Sequence, residues 1–254
     1  MAVEKIIFTG ASGENLAARL DKPEGEIKSY ALFAHCFTCT KDIFAASRIA
    51  NTLAQRGVAI FRFDFTGLGA SEGDFANTNF SSNVKDLIAA ADYMREELEA
   101  PQILIGHSLG GTAVLAAASS IPEAKAVVTI GSPADAAHVA HNFSDYRERI
   151  LEEGEAEVCL VGRPFVIKKQ FLEDVENIKM QDHVKNIKKA LLIMHAPRDM
   201  TVGIENAGQI FDWAKHPKSY VSLDNADHLL TKREDAEYAA EIIAAWSQKY
   251  ITLN

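Results

Sequence analysis

The residues of this chain whose types and spacing can do chemistry together are a serine, an aspartate and a histidine. Ser108 lies in Ile103-Leu104-Ile105-Gly106-His107-Ser108-Leu109-Gly110-Gly111, a G-x-S-x-G sequence between a short apolar run and a small-residue stretch that continues through Ala116. A serine hydroxyl is a weak nucleophile at neutral pH and must be held on a sharp turn where a base can reach it. Gly106 and Gly110 lack the Cβ atoms that would collide where a strand crosses into a helix. The turn leaves the N–H of Leu109 at the helix N-terminus, facing the place where an oxyanion would form. The competing reading is a glycine-rich turn with an incidental serine, and the strand and helix patterns on either side argue against it.

Two more polar clusters follow apolar runs: His195-Ala196-Pro197-Arg198-Asp199-Met200-Thr201-Val202 and Asp224-Asn225-Ala226-Asp227-His228. In a mostly parallel sheet both fall at the same carboxyl edge as Ser108, where such sheets bind ligands. His228 as general base and Asp199 as the acid that fixes its tautomer complete a triad in the order Ser108, Asp199, His228. Asp224 and Asp227 are competing acids. Asp227 is adjacent to His228, and neighbouring side chains on an extended segment point to opposite faces. Asp224 ends the same run and must reach back across its own loop.

The elements that position these residues read as alternating strands and helices. Residues 4–9 and 14–20 form a hairpin around Gly10-Ala11-Ser12-Gly13. Strands follow at 29–35, 58–64, 103–107, 126–131, 190–195 and 220–223, with helices at 42–56, 82–99 and 233–250. The glycine-rich loop 66–73 lacks both the lysine of a phosphate-binding P-loop and the G-x-G-x-x-G spacing of a dinucleotide site, so it reads as structural. Residues 134–186 break the alternation and read as a helix (136–152), a hairpin around Gly162-Arg163-Pro164, and a second helix (168–185). An insertion of this kind is a cap, and Phe143, Tyr146, Phe165 and Phe171 are its candidates for lining a substrate pocket. Taken singly, each aromatic is as well explained by ordinary packing.

With 254 residues and 48% apolar content, the chain is long enough for one large α/β domain over residues 1–254. The net charge of −9, without any lysine or arginine block, argues against nucleic acid or an anionic membrane as partner. No leader-like start and no apolar run near the ~20 residues of a membrane span is seen, which implies a cytoplasmic protein. The cysteines, Cys36, Cys39 and Cys159, are three in number and so form no disulfide framework. Reduced, buried or half-buried thiols are expected. Cys36-Phe37-Thr38-Cys39 matches C-x-x-C: a redox pair would need a low-pKa thiolate at a helix N-terminus, which this position could offer, and the further ligands of a zinc site are missing, so packing thiols are the preferred reading.

On these residues the chain resembles the α/β-hydrolase superfamily over nearly its whole length, with Arg62-Phe63-Asp64-Phe65-Thr66-Gly67-Leu68-Gly69-Ala70-Ser71 as the strand and loop ahead of the elbow. More narrowly, His35-Cys36-Phe37-Thr38-Cys39, Gly73-Asp74-Phe75-Ala76-Asn77-Thr78-Asn79-Phe80 and Ala134-Asp135-Ala136-Ala137-His138-Val139 are similar to the hydrolase half of α/β-hydrolase/OsmC fusion proteins. The resemblance implies a twisted, mostly parallel sheet of about eight strands with helices on both faces and a small inserted cap. It also implies a stand-alone relative or the first domain of a longer chain carrying an OsmC domain. The activity implied is that of a serine hydrolase working through an acyl-enzyme, a carboxylesterase on small or medium acyl esters, with water as second acceptor and no cofactor or metal. By the family pattern the second oxyanion donor is the backbone N–H of Phe37, beside that of Leu109. Many members carry glycine where this chain has Cys36. Peptidase, thioesterase and acyltransferase activities use the same triad and stay open. Dehalogenase chemistry would need a carboxylate in place of Ser108. An inactive hydrolase fold serving an OsmC-type partner is the alternative of another class.

Overall fold

The computed structural model describes residues 2–251. Strands β1 (Ala2–Thr9) and β2 (Asn15–Lys22) form the expected antiparallel hairpin. After them come β3 (Ser29–Ala34), β4 (Val58–Phe63), β5 (Ile103–His107) and β6 (Ala126–Ile130). A separate hairpin, β7 (Glu155–Leu160) and β8 (Arg163–Lys168), precedes β9 (Ala190–His195) and β10 (Lys218–Ser222). Eight strands make one sheet in the order β1-β2-β4-β3-β5-β6-β9-β10. Within this sheet, among the described residues, only the β1–β2 and β2–β4 pairings are antiparallel.

The central strands are apolar throughout because both faces of the sheet are covered. In β3 successive side chains alternate between two cores. Leu32 and Ala34 pack on one side with α2 (Phe80–Glu97) and α3 (Leu109–Ala117). Ala31 and Phe33 pack on the other with α1 (Phe44–Gln55) and the last helix, Arg233–Ile251. Helix α2 starts sharply because the Asn79 side chain accepts from the Ser82 N–H at 2.8 Å while the Ser82 hydroxyl accepts from the Asn79 N–H at 2.9 Å.

The insertion between β6 and β9 departs from the sequence reading in three places. The expected helix 136–152 is a 3-10 segment, Ala136–Tyr146, followed by α4 (Arg147–Glu153), with a non-helical residue at Phe143. The expected helix 168–185 is two helices, α5 (Lys169–Asn177) and α6 (Met180–Lys185). Its apolar positions explain the break: Phe171, Leu172 and Val175 are buried, and then Met180 and Val184. One continuous helix would have turned Lys179 and Asp182 toward the core instead. The β7–β8 turn falls on Val161-Gly162, both at positive φ (50° and 73°), the backbone of a tight two-residue hairpin turn, rather than on Gly162-Arg163-Pro164.

Helix α7 (Glu205–Trp213) has no counterpart in the sequence reading, and the final helix, Arg233–Ile251, is α8. Val139, Phe143, Ile150, Val158, Ile167 and Phe171 of the insertion share the core of the α2–α3 face. Among the described residues no helix is long and apolar enough to cross a membrane.

Candidate active site

Ser108 sits between β5 and α3 with φ 54° and ψ −127°, a conformation a non-glycine residue holds only when its surroundings enforce it. The enforcement is visible. The Ser108 N–H donates to Ile130 O at 2.9 Å, and Ser108 O accepts from the Gly111 N–H at 2.8 Å. A Cβ on Gly106 would lie 2.2 Å from Gly110 O, and one on Gly110 would lie 2.4 Å from both Ala34 O and His35 O. Only glycines let the elbow, α3 and the end of β3 approach so closely.

The carboxyl ends of β5, β9 and β10 bring the three sequence candidates together. His228 Nε2 lies 3.0 Å from Ser108 Oγ, and its Nδ1 lies 2.7 Å from Asp199 Oδ2. An ionised carboxylate only accepts, so Nδ1 carries the proton and donates to Asp199, and Nε2 is left to accept from the Ser108 hydroxyl. Asp199 Oδ1 accepts from the N–H groups of Thr201 (2.8 Å) and Val202 (2.9 Å). Burial pushes the Asp199 carboxyl up, but the hydrogen bonds from His228, Val202 and Thr201 together with the His228 charge outweigh it, and the group titrates below the usual carboxylate range.

The rival acids are engaged elsewhere. Asp224 accepts from the Ser222 hydroxyl, and Asp227 accepts from the Thr231 hydroxyl and, at 2.9 Å, from the Thr231 N–H.

Two buried histidines support the triad loops, and sequence reasoning gave neither a role. His107 Nε2 donates to His228 O at 2.6 Å, and His195 Nε2 donates to Val202 O at 2.8 Å. Burial, with the nearby His228 charge, pushes His107 down to about 4. Burial likewise lowers His195. Both are neutral donors at pH 7, and they act on the triad by fixing the backbone of its loops. In the sequence His107 is merely the residue between Gly106 and the serine, and nothing there signals its partner 121 positions away.

The loop after β3 supplies Phe37, half-buried beside the elbow. Among the described residues neither the Phe37 N–H nor the Leu109 N–H donates to any acceptor. Both residues line a narrow crevice with Thr38, Leu68, Phe80 and Ala113. Wider depressions, lined by Pro23, Lys28, Asn51 and Arg56, open at the amino end of the sheet, away from Ser108. Chemistry rather than width marks the site.

The loop is anchored further along by Lys41, whose N–H and Nζ each donate to the fully buried Asp64 at 2.6 Å. Asp64 also accepts from the Ala70 N–H at 3.0 Å, which ties down the glycine-rich loop.

The cap aromatics divide. Phe37 packs against Phe75 (5.8 Å), Phe171 (5.6 Å) and Phe143 (6.4 Å), and Phe75 meets Phe165 at 4.9 Å. Phe165 is half-buried, but Phe143 is only 2% exposed and Phe171 3%, so those two back the wall of the crevice without offering it an open surface. Tyr146 lies on the exterior. The cysteine expectation needs correcting in two respects. Cys36 and Cys39 are joined in a disulfide, their Cα atoms 5.3 Å apart, because the tight turn between them brings the side chains within bonding reach. Cys159 is exposed, on the outward face of β7. Among the described residues no group of three or more His, Cys, Asp or Glu side chains is placed to hold a metal ion.

Fold and site together are those of an α/β-hydrolase, an eight-stranded sheet that presents a serine elbow to a histidine and an acid from later strands. A model of the family described as Serine aminopeptidase, S33, matches residues 25–151, and the chain belongs to that hydrolase family. It is 47% identical to a crystal structure described as the esterase domain of a Rhodothermus marinus protein, over 99% of this chain and 100% of that one, with a TM-score of 0.80. The structure of Est1E from Butyrivibrio proteoclasticus with ferulic acid bound is 22% identical over 97% of this chain and 99% of that one, with a TM-score of 0.81, a likeness of fold alone. A mouse (Mus musculus) protein, palmitoyl-protein thioesterase ABHD10, mitochondrial, is 27% identical over 186 residues, 70% of this chain and 62% of the relative. The chain thus spans less than two thirds of that relative's length.

Proposed function

We propose that the protein is a serine carboxylesterase that works through an acyl-enzyme on esters of small or medium acyl groups. The observation that carries the reading is the unbroken chain from Ser108 Oγ to His228 Nε2 (3.0 Å) and from His228 Nδ1 to Asp199 Oδ2 (2.7 Å), on a serine at positive φ. Ser108 Oγ attacks the ester carbonyl as its proton passes to His228 Nε2, and Asp199 stabilises the imidazolium. The carbonyl oxygen, now an anion, is held by the N–H groups of Leu109 and Phe37. His228 then protonates the departing alcohol. Water repeats the sequence on the acyl-enzyme, with His228 first as base and then as acid.

The crevice beside Leu109, bounded by Phe37, Leu68 and Phe80, is narrow, which favours a short acyl group over a long one; Phe143 backs Phe37 from within the core, and half-buried Phe165 stands behind Phe75. A thioesterase reading uses the same atoms and is favoured by the similarity to the mouse protein of that name. The test is hydrolysis of p-nitrophenyl esters of increasing acyl length and of the matching thioesters, by the parent and by Ser108→Ala. Rates highest on short oxygen esters and lost in Ser108→Ala support the proposal. Faster turnover of thioesters at every chain length replaces it with the second reading, and absence of any turnover leaves a binding module.

A further inference from the structure

We propose that Cys36–Cys39 is a thiol–disulfide exchange site whose redox state sets the position of the Phe37 N–H, and so switches the oxyanion hole. The inference rests on the assignment of that N–H as the second oxyanion donor. The bridge joins residues three apart and encloses only Phe37 and Thr38. Closing so short a loop constrains the unfolded chain little, so the bond adds little to global stability. Its effect is local, on the two residues it spans.

Those residues are set up to move if it opens. Thr38 is held at φ 56°, a left-handed conformation that a β-branched residue leaves when released. The segment is pinned at both ends, by β3 before it and by the Lys41–Asp64 pair after it. Between those pins the loop backbone is held by the turn bond from the Cys39 N–H to Cys36 O at 3.1 Å, by His35 Nδ1, which donates to Cys36 O at 2.8 Å, and by the Thr38 hydroxyl, which donates to Phe37 O at 2.7 Å. Outside contacts carry any movement to the cap: Thr38 O accepts from the Arg163 guanidinium of β8, and the Phe37 ring packs on Phe171 and Phe143. Opening the bridge frees Cys39 to withdraw its bond to Cys36 O, so the Cys36–Phe37 peptide, which carries the Phe37 N–H, turns about the remaining bond from His35 Nδ1, and the Phe37 ring of the acyl wall shifts with it.

The sulfurs differ in access. Cys36 is 5% exposed, whereas Cys39 is half-buried at the rim of the loop. The co-reactant is a dithiol reductant. One of its thiolates attacks Cys39 Sγ, the S–S bond breaks, and Cys36 leaves as a thiolate that takes up a proton. The second thiol then attacks the mixed disulfide, releasing the Cys39 thiol and leaving the reagent as a cyclic disulfide. The protein gains two electrons and two protons, and the dithiol loses them. In a reducing compartment a disulfide of this kind is transient and functional rather than a permanent staple.

The experiment uses the full chain carrying Cys159→Ser, which removes the exposed third thiol. Maleimide labelling counted by mass, amide hydrogen exchange over residues 36–41 and kcat on p-nitrophenyl butyrate are measured before and after reduction with dithiothreitol. The expected result is no labelled cysteine before reduction and two after it, with faster exchange confined to the loop. The value of kcat falls about tenfold, part of the ~10²–10³-fold effect of losing an oxyanion donor outright, and recovers on reoxidation. The double variant C36S/C39S shows the lower kcat and ignores dithiothreitol. Both cysteines reacting in the unreduced protein overturns the proposal, as does unchanged exchange and unchanged kcat on reduction. If neither form hydrolyses esters, the catalytic reading falls by itself, and the amide exchange alone then decides: faster loop exchange upholds the redox control of the loop, and unchanged exchange overturns it.

Discussion

The elbow edge of the sheet and the cap that faces it are held by different forces. At the elbow nearly every constraint is directional: Ser108 N–H to Ile130 O, Ser108 to His228, His228 to Asp199, Asp199 to the Thr201 and Val202 amides, and His107 to His228 O. In the cap the parts nearest the crevice meet through aromatic contacts among Phe37, Phe75, Phe143, Phe165 and Phe171, with a few polar ties such as Ser81 to Asp174 and Asn79 to Gln170. Directional bonds fix reacting atoms to within tenths of an ångström, whereas apolar packing sets a volume and tolerates some change of shape. The elbow should therefore fail sharply when altered, and the cap should give by degrees.

The largest expected effect comes from breaking one directional bond. Asp199→Asn cannot accept the Nδ1 proton in the same way and favours the wrong histidine tautomer, so kcat on one ester at pH 7 to 8 should fall by up to about 10⁴-fold with little loss of stability. Asp224→Asn and Asp227→Asn, whose carboxylates serve Ser222 and Thr231, should leave it nearly unchanged. A mild Asp199→Asn beside a crippling Asp224→Asn would redraw the triad.

The buried histidines make the elbow side acid-sensitive. His107 titrates at about 4 in the folded chain against 6.5 for the free side chain. Between those values the unfolded state carries a proton the folded state lacks, so stability falls as pH falls from about 6.5 to 4, by up to about 3 kcal/mol for this residue. His35 and His195, both lowered mainly by burial, act in the same direction. Asp199 is lowered instead from 3.8, so its contribution is lost only at still lower pH. Urea unfolding at pH 7, 6 and 5 should show this slope, and His107→Gln, which keeps a donor for His228 O without titrating, should flatten it. An equal slope in the variant would remove His107 from the explanation.

One added methyl should also distinguish the two regions. Gly110→Ala puts a Cβ 2.4 Å from two backbone oxygens, and backbone yields less readily than a side chain. A loss of roughly 1–3 kcal/mol is expected, read from thermal unfolding. Removing a whole ring from the cap should do less: Phe165→Ala should shift relative rates toward longer esters by about three- to tenfold while changing turnover of the shortest only slightly. Phe143 is buried and its alanine variant would cost about 3–5 kcal/mol, so Phe143→Leu is the variant to compare. An unchanged chain-length profile in both would show that these rings only pack.

The same contrast explains what was legible in the sequence. The elbow announced itself because its geometry demands particular residues at fixed spacing, Gly106, Ser108 and Gly110, and the sheet strands did so because burial on both faces leaves unbroken apolar runs such as residues 190–194. The cap was legible only as an interruption. Its helices break at Phe143 and at Ile178–Lys179 because they follow the surface they cover, and a surface assembled from distant segments leaves no local signature. Helix α7 was missed although Ala207 and Ile210 are buried, since its Asn206 is buried too and uses its side-chain oxygen to accept from the Ala134 N–H at 3.0 Å. A polar residue on an inward face blurs the apolar period. The histidine supports and the Cys36–Cys39 bridge belong to the same class: the residues were plain to see, and their partners or states depend on the folded chain.

The claim on which all of this turns is that His228 and Asp199 make Ser108 a nucleophile. Its most direct test is labelling of the folded protein with a fluorophosphonate probe, which reacts with a serine only when a base activates it. The expected result is one adduct per chain, mapped by mass spectrometry to the peptide containing Ser108 and absent after His228→Ala. A protein that keeps its circular dichroism spectrum yet takes no label, or takes it on another residue, would contradict the assignment.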